Sequence, residues 1–107
     1  MTRVRVNPGA CGLISVIEVK RSGKNQFSLK ISSDCEMVQR LSEELVELDW
    51  MDVFKRILDN PVYKKASSTL RHTSCPVPSA ILKALEVEAQ LAVKRDVTIE
   101  FLSEPEE

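Results

Sequence analysis

A single histidine in 107 residues removes HExxH sites and the other metal centres that need paired imidazoles. Glycine is nearly as scarce: three residues, with no GxGxxG and no P-loop, so the common phosphate-cradling loops are excluded. No GxSxG occurs either. The lone histidine, His72, sits in the polar run Thr69-Leu70-Arg71-His72-Thr73-Ser74 without an orienting acid, which leaves serine hydrolysis unsupported. An excess of one charge is also missing. Fifteen basic side chains against sixteen acidic ones leave a net charge of -1, which removes the electrostatic footprint of a nucleic-acid binder. No apolar run approaches the roughly 20 residues of a membrane span. The opening MTRVRVNPGACG lacks the apolar stretch of a secretory signal. The expectation is a cytoplasmic protein with neither membrane nor nucleic acid as partner.

What is present is an ordinary globular composition, 43% hydrophobic and 29% charged, of a length that suits one domain. That domain is expected over residues 1–102, with SEPEE at 103–107 as a disordered acidic tail. Residues 1–30 carry six basic groups and one acidic, whereas residues 31–60 carry three basic and eight acidic. These runs read as solvated faces of strands and helices respectively.

Val4 and Val6 alternate with Arg3 and Arg5, the mark of a half-buried strand. Asn7-Pro8-Gly9-Ala10 follows as a type II turn, with Pro8 preset and Gly9 supplying positive φ. A tight loop there pairs Val6 with Cys11 and Val4 with Leu13. Residues 13–20 and 26–32 make a second hairpin around Ser22-Gly23-Lys24. Face parity favours an odd-length loop that pairs Ile17 with Leu29, Val19 with Phe27 and Ser15 with Ile31. Extended, this register sets Cys11 opposite Cys35.

Ser33 and Glu36 have capping-box spacing ahead of a helix striped by Val38, Leu41, Leu45 and Leu48. Asp49 can cap a second helix with Trp50, Val53, Phe54, Ile57 and Leu58, in which the aromatic pair and Ile57 look like core. Asn60-Pro61 can start a third. A last helix is predicted over about 78–93, with Leu82, Leu85, Ala89 and Ala92 facing inward. Val97, Ile99 and Phe101 then alternate with Asp96, Thr98 and Glu100 as a closing strand. The predicted fold is α+β and two-layered: an antiparallel β-meander of three N-terminal strands plus the C-terminal strand, with about four helices on one face. Glu43, Glu44, Glu47, Asp49 and Asp52 form an acidic concentration, read as the solvent side of a helix rather than a hard-cation site.

The chemistry-bearing residues are Cys11, Cys35 and Cys75. Their spacing matches no zinc knuckle, CxxC or ferredoxin pattern. The predicted topology is more informative, because the hairpin brings Cys11 and Cys35 to one sheet end. Cys35 and Cys75 each fall near a helix start, where free N–H groups favour a thiolate. If the last helix begins beside the first, the three sulfurs converge, and a tetrahedral metal would keep one position open for His72, water or a partner. A Cys11–Cys35 disulfide is compatible with this geometry but is disfavoured in a reducing cytosol.

Pro8-Gly9-Ala10-Cys11-Gly12, Ser33-Asp34-Cys35 and Cys75-Pro76-Val77-Pro78-Ser79-Ala80-Ile81 together resemble a small family of uncharacterised prokaryotic proteins of about this length. The resemblance implies a single domain with one cysteine in each block, and no activity. Three functional readings follow. The first is binding of a metal ion, zinc or an iron–sulfur species, through Cys11, Cys35, Cys75 and His72. The second is a protein-interaction or homodimerisation module, with buried structural cysteines and an outer sheet face marked by Ile14 and Val16. The third, a thiol-redox enzyme using Cys35 or Cys75, ranks last because no CxxC exists; the sequence leans away from an enzyme.

Overall fold

The computed structural model describes residues 1–105. Strands β1 (Thr2–Val6), β2 (Ser15–Arg21) and β3 (Gln26–Ser33) form the antiparallel meander that the alternating segments predict. A short β4 (Glu47–Asp49) completes a sheet of order β1-β2-β3-β4. Three α-helices accompany the sheet: α1 (Glu36–Glu44), α2 (Pro61–Thr69) and α3 (Val77–Glu88). The fold is therefore α+β. No helix among the described residues is long and apolar enough to cross a membrane.

The core lies on one side of the sheet. Ile17, Val19, Phe27 and Leu29 meet Val38 and Leu41 from α1, Val62 from α2, and Ile81 and Leu85 from α3. Burying each large apolar side chain contributes about 1.5–3 kcal/mol, so this cluster carries much of the driving force for folding. Thr2, Val4 and Val6 of β1 turn toward the same side, while Arg3 and Arg5 are exposed on the other.

Both hairpin registers differ from those the sequence suggests. Val6 pairs with Ser15 and Val4 with Ile17, so residues 7–14 form a longer loop, not a tight Pro8-Gly9 turn. In the second hairpin Ile17 pairs with Ile31 and Val19 with Leu29, a slip of two residues. Each shift is even, so every side chain keeps its expected face. Gly9 still adopts the positive φ of 85° that its turn requires, and Gly12 adopts 69°. The Gly9 N–H donates to Asn7 Oδ1 at 3.1 Å, and the Gly12 N–H to Gly9 O at 3.0 Å.

The helical stripe also ends early. Leu48 is buried as expected, but it reaches the core from β4, where it pairs with Phe27. The predicted second helix is instead two 3-10 turns, Trp50–Phe54 and Ile57–Asp59. Trp50 is half-buried, while Phe54 and Ile57 are 60% and 66% exposed, so the expected core role fails for those two. The capping reading of Asp49 holds: its carboxylate accepts from the Met51 N–H, and Asp52 Oδ2 accepts from the Asp49 N–H, each at 2.8 Å. Asp52 is consequently buried, unlike the exposed Glu43, Glu44 and Glu47.

The predicted last helix is shorter than 78–93, ending at Glu88, and Ala92 is exposed. Residues 97–101 form no strand; β4 occupies the β3 edge, and β1 has no second neighbour among the described residues. The expected acidic tail lies partly outside the described residues; 103–105 are exposed.

Asn60 joins the 3-10 region to α2. Its Oδ1 accepts from the Val62 N–H at 3.0 Å, while its Nδ2 donates to the Asp52 carbonyl at 2.6 Å. Both contacts are buried, and Pro61 occupies the start of the helix, where its missing N–H costs nothing. Asn60→Ala removes the cap and strands the Asp52 carbonyl. A loss of about 1–3 kcal/mol in unfolding free energy is expected in urea titration.

Candidate thiol pocket

Cys11, Cys35, Cys75 and His72 all line one cavity of about 260 Å³, although 24 and 40 residues separate the successive cysteines. The remaining wall is largely apolar, with Pro8, Leu13, Met37 and Val38 among its residues. The three cysteine blocks therefore border one cavity, although among the described residues the side chains do not gather into a ligand set. Cys11 lies in the 7–14 loop rather than opposite Cys35 in a ladder, and that loop folds over the end of the sheet.

Cys35 is the most firmly positioned of the three. It is the N-cap residue of α1, with extended backbone (φ −90°, ψ 122°), and its carbonyl accepts from the Gln39 N–H at 2.9 Å. The expected N-cap, Ser33, lies two residues earlier and acts through a local turn. Its Oγ accepts from the Cys35 N–H at 3.0 Å and from Ser15 Oγ at 2.8 Å. Gln39 Nε2 donates to the Ser33 carbonyl at 2.8 Å. The small hydroxyls thereby satisfy buried polar groups at the sheet end while directing the chain into α1.

Cys75 is held by a turn in which its N–H donates to the His72 carbonyl at 3.1 Å. Pro76 then leads directly into α3, so Cys75 precedes the helix rather than belonging to it. Burial pushes its thiol above the usual range. A hydrogen bond from the Val77 backbone pulls the other way, and nearby Cys35 and Cys11 add further upward pressure. Desolvation thus overrides the helix-start effect that would favour a thiolate. This runs against the expectation of a low-pKa Cys75.

Burial separates the cysteines clearly. Cys11 is exposed, and Cys35 and Cys75 are half-buried. Core filling accounts for contacts of the latter two with the apolar cluster, but not for Cys11. All three are free thiols, so the Cys11–Cys35 disulfide is not formed. His72 is exposed at the cavity margin. Among the described residues, no group of three or more His, Cys, Asp or Glu side chains lies close enough together to hold a metal ion.

The outer sheet face offers little apolar surface. Val16 stands half-buried between Arg5 and Ser32, and Ile14, just ahead of β2, is 38% exposed. The larger exposed apolar side chains lie elsewhere, at Phe54, Ile57 and Leu58 and along Val97–Leu102. Sequence spacing suggests a core role for Phe54 and Ile57, and the structure exposes both.

No curated protein and no solved structure matches the chain. A family model does match, over residues 2–101, which takes in Cys11, Cys35, His72 and Cys75 and every strand and helix described above. The chain belongs to DUF6951, a family of unknown function.

Proposed function

We propose that this domain binds a soft metal centre, zinc or the iron of an iron–sulfur species, through Cys11, Cys35 and Cys75. The observation that carries this reading is the collection of three free thiols and the sole histidine around one small cavity. Thiolates favour such metals, and three of them leave one tetrahedral position for His72, water or an external ligand. Cys11 would arrive last. Its loop is turned by Gly9 and Gly12 at positive φ, and movement of that loop would bring its sulfur toward the two half-buried ones.

The electrostatics make binding proton-linked. Cys75 retains its proton beyond the usual thiol range, so a metal must displace it. Metal charge then offsets the repulsion that Cys11 and Cys35 would impose on a Cys75 thiolate. The nonmetallated state behaves oppositely with pH. Its unfolded chain loses the Cys75 proton first, so stability present below the unfolded thiol value declines as pH rises through it.

Protein purified without oxygen or chelator is expected to contain stoichiometric zinc or iron, with sulfide if a cluster is bound. Cys11→Ser, Cys35→Ser and Cys75→Ser should each release it, and His72→Ala should weaken retention. Cys11→Ser is the most discriminating variant because Cys11 is exposed, so its thermal melt without metal should match that of the metal-free parent. A folded parent that contains no metal and takes up neither added zinc nor iron would overturn the proposal.

Zinc affinity should increase with pH between 6 and 8, by about tenfold per unit for each thiol proton displaced. Competition titrations against a chelator of known pH dependence measure this slope. An affinity independent of pH would exclude thiol ligation.

A further inference from the structure

We infer that Val97–Phe101 is a donor strand that pairs with the open β1 edge of a second copy of this chain. The segment has a strand pattern but no strand partner: Val97, Ile99 and Phe101 alternate with Thr98 and Glu100, and the three apolar residues are 60%, 84% and 102% exposed. β1 supplies the complementary feature. It is an edge strand with β2 on one side and no neighbour on the other among the described residues. Such an edge presents unpaired N–H and C=O groups, the usual substrate of strand addition.

Side-chain parity and charge agree on how the pair would face. Thr2, Val4 and Val6 point toward the core side, and Arg3 and Arg5 point away. A donor strand with Val97, Ile99 and Phe101 on the core side extends the apolar surface beyond half-buried Val4. The same placement sets Asp96 and Glu100 on the face of Arg3 and Arg5. Arg3 is already paired with Glu18 at 3.0 Å, so the charge complement falls on Arg5, which has no salt bridge among the described residues and which Glu100 would meet. The family match spans residues 2–101 and includes both donor and acceptor.

The path of the chain favours exchange between copies. α3 terminates beside the start of β1, where Glu88 Oε1 accepts from Thr2 Oγ1 at 2.7 Å. Gln90 then turns the chain with φ 62°, and the Leu91 N–H closes that turn on Glu86 O at 2.8 Å. Ala92, Val93 and Arg95 lie along the flank of α3 with Lys83, Glu86 and Val87. Beyond them the donor segment stands away from its own body, leaving its own β1 edge free. One donor and one acceptor per chain allow reciprocal exchange in a closed two-fold dimer.

Sedimentation of the full chain over a concentration series tests this inference, together with hydrogen exchange at β1 and residues 97–101. Expected are a species of twice the chain mass and amide protection at both segments that fades on dilution. Ile99→Lys should raise the dimer dissociation constant at least about tenfold without lowering the monomer's melting temperature, because Ile99 is 84% exposed. Arg5→Glu should also weaken the dimer, and Glu100→Arg added to it should restore association. A monomer at all concentrations overturns the inference, including one whose protected tail has docked on its own β1. A dimer indifferent to Ile99→Lys, or a charge exchange without rescue, overturns it as well.

Discussion

The hydroxyl pair Ser15–Ser33, 2.8 Å apart where β2 begins and β3 ends, sets the positions on which the thiol pocket depends. Ser15 is buried, so its hydroxyl needs a partner, and Ser33 is its cross-strand neighbour. Ser33 also receives the Cys35 N–H, coupling the register of the sheet to the entry of α1. Above this junction the 7–14 loop brings Cys11 over the sheet end, and α3 starts close by, just after Cys75. Burial then separates the sulfurs into two partly shielded groups and one exposed group.

Much of this arrangement was legible because side-chain alternation determines the face of a strand. The alternating residues of β1, β2 and β3 correctly separated the core side from the outer side. Alternation is blind to an even slip, however, and both expected hairpin registers were displaced by even numbers. The backbone turns at Asn7, Gly9 and Gly12 set the real length of the first loop. Leu48 illustrates a related ambiguity. It continued the helical spacing of Leu41 and Leu45, yet it is buried from a strand after α1 has ended. Periodicity identified a core residue without identifying its element.

The candidate site was legible through topology rather than motif spacing. The hairpin brings the Cys11 and Cys35 blocks to one sheet end, but whether Cys75 joins them depends on where α3 packs, which the sequence does not determine; all three border one cavity. Their burial was not accessible from sequence, and it alters the chemistry: solvent loss at Cys75 outweighs the favourable backbone dipole. Phe54 and Ile57 were misread for a different reason. A regular helix would place them on a repeating face, but successive 3-10 turns reorient their side chains toward solvent.

The central chemical claim is that the three thiols meet on one metal. X-ray absorption at the metal edge of the loaded full chain tests this directly by resolving its nearest ligands. Zinc coordinated by three sulfurs at about 2.3 Å, with one nitrogen or oxygen, is the predicted shell. For a cluster, iron–sulfur scattering accompanied by an iron–iron shell is predicted instead. A shell of nitrogen and oxygen alone would contradict the account.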